Sequence, residues 1–190
     1  MTTIVLKDVR LAFPHIFEPH EQSGKYNGLL ILDPNTQADQ LEELKAEIMK
    51  LVKEKWNGKI TSPSQLKQFC LHDGAEKAQY DGFEGMMYIS ASNTAAPSVV
   101  DTDGRTPLTK AAGKPYSGCY VYGYLELWAQ DNKYGKGINA TLRGVQFYRD
   151  GDAFGGGRPL GVDEFEQLEP VNSPDDTGFG ATGTDDGFFN

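Results

Sequence analysis

The sequence lacks the features that mark several common protein classes. It has two cysteines, Cys70 and Cys119, at no spacing typical of a zinc or redox site, so neither a disulfide scaffold nor a zinc-bound domain is indicated. No stretch approaches the ~20 apolar residues that span a bilayer. The N-terminal residues MTTIVLKDVRLAF do not have the pattern of a secretory signal. We therefore expect a cytoplasmic protein with two free thiols and with Cys119 in the core.

Catalytic and metal-binding patterns are also missing. The three histidines, His15, His20 and His72, are scattered, and no HExxH, GxSxG, phosphate-binding loop or compact acidic cluster occurs. The residues FGGG at 154–157 do not lie between a strand and a helix, so they are better interpreted as a hinge. We predict no enzyme activity, no bound metal and no cofactor.

Basic residues are absent from the last 32 positions. Residues 159–190 hold eight of the 27 acids and none of the 18 lysines and arginines, so almost all of the net charge of -9 lies there. From Pro170 onward the segment has no aliphatic run that could offset the entropy of ordering, and we predict a disordered acidic tail. Aromatic residues in it favour a role in binding a partner, although a solvated terminus remains open. The predicted partner-binding residues are Asp185, Asp186, Phe188 and Phe189.

Residues 1–158 fit one domain with a core of its own. Apolar spacing predicts strands at 4–13, 26–32 and 86–91, and an amphipathic helix from an N-cap at Asn35 or Thr36 to about Trp56. A short helical turn is predicted around 64–69, and a long functional or mobile loop over 93–118. Two strong strands at 119–129 and 137–147 are joined by the turn QDNKYGK. This order predicts a mainly β fold with one inserted helix, and a small barrel fits it best.

The strand at 119–129 is the segment that bears most on function. Side chains alternate between the two faces of a strand. The aliphatic face is predicted to lie in the core, and the opposite face then carries Tyr120, Tyr122, Tyr124, Glu126 and Trp128. Asn139, Thr141 and Arg143 of the next strand share that outer face. Aromatic rings beside an arginine form a platform on which unpaired bases stack. The alternative is that the helix or a loop covers this face, which we expect for Tyr124 and Trp128.

Basic residues of the turn and of the long loop flank the predicted platform and could follow a phosphate backbone. The predicted DNA-binding residues are Tyr116, Tyr120, Tyr122, Arg143, Lys114, Lys110, Arg105, Lys133, Tyr134 and Lys136.

Longer motifs add a resemblance to a known family. LAFPHIFEP, WNGK, LHDG, SNTAAPSVVD, PYSGCYVYGYLELWAQDNKYGKGI and VQFYRDGDAFGGG occur in this order. Over about residues 4–158 the chain resembles tailed-phage single-stranded DNA-binding proteins. The resemblance implies a variant OB-fold, binding of single-stranded DNA without sequence preference, and the cytoplasm of a bacterial host. It also implies an acidic tail that recruits phage or host replication proteins, such as polymerase or helicase-primase. In the resemblance, a pocket of the partner holds an aromatic residue at the end of the tail. The last residue here is Asn190, so that pocket would have to accept Phe188 or Phe189 instead.

Two other functions stay open at this point. An acidic interaction module or DNA mimic could use the tyrosines to bind a nuclease or a replisome protein. A nuclease would need a metal-binding acidic cluster, which the sequence does not contain.

Overall fold

The structure is a computed structural model that describes residues 1–155 together with Val162, Phe165, Glu166 and Leu168. Within these residues it has one α-helix, α1 (Ala38–Trp56), and eight strands. The strands are β1 (Thr2–His15), β2 (Tyr26–Leu32), β3 (Gln68–Phe69), β4 (Leu71–Asp73), β5 (Met87–Asn93), β6 (Ser98–Val100), β7 (Tyr120–Asn132) and β8 (Gly135–Arg149). No helix in this part of the chain is long and apolar enough to cross a membrane.

Five strands close a barrel. β1 pairs antiparallel with β2 and β7, β2 pairs with β5, and β7 pairs with β8. The ring closes where β5 meets β8 in parallel, at Ser92 and Thr141. The three short strands extend this sheet: β3 and β6 along β8, and β4 along β5. The predicted mainly β fold, a variant OB-fold barrel with one inserted helix, is confirmed.

The barrel interior follows the alternation that the sequence predicts. Cys119, Val121, Leu125 and Leu127 are completely buried, and Leu142 of β8 faces them. Burial of each Leu or Ile side chain contributes about 1.5–3 kcal/mol, so a one-residue slip of β7 would lose much of the core. Burial also raises the pKa of the Cys119 thiol to about 12. Both cysteines are free and Cys119 is buried, as expected, and Cys70 is buried as well.

The helix has the predicted apolar stripe, but it begins differently. Its N-cap is Gln37, not Asn35 or Thr36, and the Gln37 side chain does not cap the helix. Instead, Gln37 Nε2 donates to the carbonyl of Asp8, 2.7 Å away, at a bulge in β1. The Gln37 side chain therefore ties the start of the helix to β1, and it also accepts a hydrogen bond from the Asp33 amide at 3.0 Å.

Three other local predictions need correction. The predicted loop at 93–118 contains β6 and a 3-10 turn at Lys110–Ala112, and β3 and β4 were not predicted. These three strands have two or three residues each, which is too short for a periodic pattern in the sequence. They form by backbone pairing with longer strands, β3 and β6 with β8 and β4 with β5. The β7–β8 turn consists of Lys133 and Tyr134 alone, since both strands extend further than predicted.

The residues after β8 fold back over the barrel. The Phe154 amide donates to the Ser117 carbonyl at 3.0 Å, and the Arg10 guanidinium carbon lies 4.3 Å from the centre of the Phe154 ring. Gly82 lies under this ring, where a Cβ atom would come within 2.4 Å of it. The predicted domain boundary at 158 and the tail residues Asp185, Asp186, Phe188 and Phe189 lie outside the described residues.

Candidate nucleic-acid interface

An open groove crosses the outer face of β2 and β5. It has two contiguous parts, with volumes of about 600 and 510 Å³. The first part reaches Phe13 at the end of β1, and the second reaches Trp128 on β7. The two parts share Lys25, His72, Ser90 and Ser92. In OB-folds this face, with the loops at its ends, is where oligonucleotides bind.

Phe13 presents an aromatic ring at one end of the groove. It has a φ of 46°, which is unusual for a bulky residue, and it lies in a bulge where the pairing of β1 with β2 shifts. The bulge aims the ring outward, so 44% of Phe13 is exposed. Its ring meets that of Tyr80 edge to face at 5.0 Å and stacks near Phe83 at 6.1 Å. The ring is thus held in place by its neighbours while it is still accessible.

A second aromatic pair lines the groove wall. His72 and Tyr88 stack with their ring centres 4.9 Å apart and their planes at 17°. Glu76 accepts a hydrogen bond from the Tyr88 hydroxyl at 3.2 Å and lies 3.4 Å from His72 Nδ1. Burial, reinforced by Glu76, raises the pKa of Tyr88 to about 12. The phenol therefore stays neutral over the physiological range.

The three histidines converge on this groove, although they are scattered in the sequence. The rings of His15 and His20 meet edge to face with centres 4.6 Å apart. Burial, followed by the proximity of His20, lowers the pKa of His15. No group of three or more His, Cys, Asp or Glu side chains within the described ranges could hold a metal ion.

Basic residues lie along the groove. Lys25, Lys67 and Lys77 line it, and no carboxylate of the described chain lies within 4.0 Å of their ammonium groups. The Lys67 amide donates to the Lys136 carbonyl at 2.9 Å, which brings the β7–β8 turn to the end of the groove. Lys133 in that turn is exposed. Uncompensated cations therefore occur at both ends and in the middle of the groove.

The predicted outer face of β7 is also formed. We call it the tyrosine face and define it by Tyr120, Tyr122, Tyr124, Arg143 and Tyr148, which are half-buried or exposed. The rings of Tyr122 and Tyr148 lie 5.1 Å apart. The Tyr124 hydroxyl donates to Gln146 at 3.0 Å. The predicted alternation is therefore confirmed, and Tyr124 is half-covered as expected.

Trp128 joins this outer face to the groove. It is half-buried, as predicted, and its Nε1 donates to Thr141 Oγ1 at 3.0 Å. Both residues line the groove end. The neighbouring strand β8, rather than the helix or a loop, supplies this polar partner.

Three of the six cations predicted around the tyrosine face have acidic partners among the described residues. The closest approaches are Arg143 to Glu126 at 3.6 Å, Lys114 to Asp101 at 3.3 Å and Lys110 to Glu18 at 2.8 Å. Arg105 is exposed in the turn before Pro107. Arg149 covers Tyr120, with its guanidinium carbon 3.7 Å from the ring centre, and pairs with Asp8 at 3.0 Å. This face therefore has less free positive charge than the groove.

Tyr116 does not belong to either surface. It is only 6% exposed, so the prediction that its ring is available for stacking is wrong. Its hydroxyl donates to Asp150 at 2.5 Å and contacts the Gly151 carbonyl at 3.2 Å. Residues after β8 return to enclose it, a contact that strand alternation does not reveal. Burial, with the Asp150 bond, raises its pKa to about 12.

Sequence reasoning missed the groove residues Phe13, His72 and Tyr88. Their functional interest arises because β1 and β5 flank β2 in the sheet and β4 adds to the far side of β5. The signal available in the sequence was the three histidines and the aromatic residue Phe13 at the end of the first predicted strand.

Comparison with known proteins gives this arrangement a family context. Residues 2–177 match the family described as Enterobacter phage Enc34, ssDNA-binding protein. The putative protein p50 of Acyrthosiphon pisum secondary endosymbiont phage 1 is 46% identical over 175 residues, which cover 87% of this chain and 93% of that protein.

Solved structures agree with this match. The single-stranded DNA-binding protein from bacteriophage Enc34, in complex with ssDNA, has a TM-score of 0.70 and 29% identity over 80% of this chain and 89% of that chain. The gp2.5 protein, a single-stranded DNA-binding protein encoded by bacteriophage T7, has a TM-score of 0.50 and 15% identity, and covers 90% of this chain and 99% of its own. The gp2.5 likeness concerns the fold alone. The resemblance predicted from the motifs is confirmed, and the chain belongs to the family of the single-stranded DNA-binding protein of Enterobacter phage Enc34.

Proposed function

We propose that this protein binds single-stranded DNA without sequence preference, with the groove as the principal path of the strand. The observation that carries the proposal is the combination of accessible rings at Phe13 and His72 with unpaired lysines on the OB-fold binding face. The solved relative from phage Enc34, described in complex with ssDNA, supports the same ligand.

Stacking supplies affinity that does not depend on base identity. Every base has a flat aromatic face, and each stacked base contributes about 1–3 kcal/mol. The bases of a duplex are already stacked on one another, so they do not reach these rings. The proposal therefore includes a preference for single strands over duplex.

Lysines supply the phosphate contacts. Lys25, Lys67 and Lys77 lie in the groove, and its charge extends along the β7–β8 hairpin through Lys133 in the turn and Lys136 at the start of β8. Each neutralised phosphate releases counterions, so affinity falls as salt rises. The predicted contacts at Tyr120, Tyr122, Tyr134, Arg105, Lys110, Lys114 and Arg143 are proposed to lie outside the principal path, and their contribution stays a prediction.

The family is one of DNA-binding proteins. We propose that this chain likewise acts without catalysis or cofactor, in the cytoplasm of a bacterial host during phage DNA replication. The acidic tail is proposed to compete with DNA for the groove. Its residues Asp185, Asp186, Phe188 and Phe189 are proposed to recruit a replication protein, such as polymerase or helicase-primase.

A second candidate function belongs to the tyrosine face. The exposed Tyr148 and the half-buried Tyr122 lie among cations that already have carboxylate partners, a composition that suits a protein partner better than a phosphate backbone. This face could therefore bind a nuclease or a replisome protein.

A titration with fluorescent single-stranded and double-stranded oligonucleotides at two salt concentrations tests the proposal. We expect tight binding of the single strand, weak binding of the duplex and lower affinity at the higher salt. Equal affinity for the two forms would contradict base stacking. Absence of binding would favour the interaction module, and loss of intact oligonucleotide would reveal a nuclease.

A further inference from the structure

Two histidines line the groove along which we propose that single-stranded DNA passes. His15 ends β1 and His20 lies in the β1–β2 loop, and both line the part of the groove that also holds the His72–Tyr88 stack. Their rings meet edge to face at 4.6 Å. His20 Nδ1 accepts a hydrogen bond from the Gln22 amide at 3.3 Å. The proton of neutral His20 is therefore on Nε2, away from the loop backbone.

The pair resists a second positive charge when the groove is empty. Two imidazolium rings at this separation repel each other, and both side chains are half-buried. In keeping with this geometry, burial and His20 lower the pKa of His15. An anion beside the rings would reverse the balance, because it offsets both the repulsion and the burial.

Other charged groups around the pair are distributed over three elements. The β1–β2 loop contributes Glu18, Glu21 and Lys25. The segment of β4 and its following turn contributes His72, Glu76 and Lys77, and the turn at 110–112 contributes Lys110. Glu18 is paired with Lys110, whereas Glu76 accepts a hydrogen bond from the Tyr88 hydroxyl and lies beside His72. Lys25 and Lys77 are the Lys side chains that line this part of the groove, and no carboxylate of the described residues lines it.

We propose that His15 and His20 form a phosphate subsite of the groove, and that this pair takes up a proton from solvent when a phosphodiester of single-stranded DNA enters. The inference rests on the proposed function. Because the ligand favours the protonated pair, the pKa of the pair is higher in the complex than in the free protein. The affinity for DNA then rises as pH falls through the bound value and levels off below the free value. The gain is at most about tenfold per pH unit for one proton.

The test uses the full chain and a fluorescent oligothymidylate, whose bases do not titrate between pH 5.5 and 8.5. The lower limit keeps ordinary carboxylates ionised. At constant salt we expect Kd to fall by about threefold or more from pH 8.0 to 5.5. The double variant His15→Asn, His20→Asn should lose most of this gain. Calorimetry in two buffers of different ionisation enthalpy should record net proton uptake on binding by the parent and less by the variant.

His72→Asn is the matched control, because it removes the remaining histidine of the groove and leaves the pair intact. Its pH dependence should persist. Loss of the dependence in His72→Asn but not in the double variant would overturn the assignment. If the double variant fails to fold, two measurements still test the proposal. They are the pH dependence of Kd in the single variant His20→Asn and the proton uptake of the parent, measured by calorimetry. A parent that binds equally at every pH, with no proton uptake, sinks this inference alone, whereas absence of binding at every pH sinks the proposed function.

Discussion

Phe13 holds an exposed ring at the mouth of the groove on a backbone conformation that bulky residues rarely adopt. If a base stacks on this ring, Phe13→Ala should cost about 1–3 kcal/mol of binding free energy for single-stranded DNA. Fluorescence titration measures the loss, and thermal unfolding checks the fold. Phe13→Leu retains apolar bulk without a ring, so it should weaken binding similarly if stacking is the cause.

The same titration compares the two surfaces. Tyr122→Ala removes a ring from the tyrosine face, where Tyr148 remains its neighbour. We expect a smaller loss than for Phe13→Ala. If Tyr122→Ala loses more binding free energy and its unfolding curve is normal, the tyrosine face is the main stacking surface. Tyr120 and Tyr122 would then be the principal stacking residues, as the sequence predicts.

Tyr116 has a structural role instead. Tyr116→Phe removes the hydroxyl that donates to Asp150 and should lower the free energy of unfolding by about 0.5–1.5 kcal/mol. Urea unfolding measures the change, and DNA affinity should stay the same. A weakened affinity with unchanged stability would restore Tyr116 to the binding surface.

The same residue has a defined pH dependence. Its pKa is raised from 10.0 to about 12, so folding favours the protonated phenol. The resulting contribution to the free energy of unfolding is fully present below pH 10 and is lost as pH rises toward 12. Stability measured between pH 9 and 12 should therefore fall less steeply in Tyr116→Phe than in the parent.

At the scale of elements, the β7–β8 hairpin carries charge to the end of the groove. Lys133→Gln and Lys136→Gln should each flatten the slope of log affinity against log salt by about 0.7, if each lysine neutralises one phosphate. Lys45→Gln is the control, because Lys45 lies on α1 and pairs with Glu42. Weaker binding at every salt concentration with an unchanged slope would point to altered packing of the turn instead.

The elements also show which local predictions succeed. β2 has the predicted bounds, and α1 has the predicted apolar stripe, because long periodic patterns reflect one continuous buried face. The helix start at Gln37 and the strand β6 have partners far away in the sequence, Asp8 and β8. Local propensity carries no information about such partners.

At the scale of the whole molecule, charge is divided between a nearly neutral body and an acidic tail. The predicted disordered tail would reach about 30 Å, at ~5–6 Å × √n, which is comparable to the size of a domain. Truncation after Pro159 should therefore raise affinity for single-stranded DNA at low salt, and the gain should shrink as salt screens both interactions. Titrations of full and truncated chains at several salt concentrations measure this difference.

The truncated chain also tests recruitment. Loss of binding to a purified polymerase or helicase-primase, with the fold intact, would support the role proposed for Asp185, Asp186, Phe188 and Phe189. If truncation leaves DNA affinity at low salt unchanged, the tail does not guard the groove.

The sequence by itself determined the mainly β class, the inward and outward faces of β7, the apolar face of α1 and the separation of charge along the chain. These properties follow from short-range periodicity and from composition, which do not depend on long-range contacts. Its ordered motifs also identified the family.

Only the tertiary structure decided where the binding surface lies. Closure of the barrel brings Phe13, His20, His72 and Lys67 to one groove, and residues 150–151, after β8, contact the hydroxyl of Tyr116. The side chains of this site come from elements that are distant in sequence and adjacent through backbone hydrogen bonds. Their proximity is a property of the strand order, which no local pattern of residues encodes.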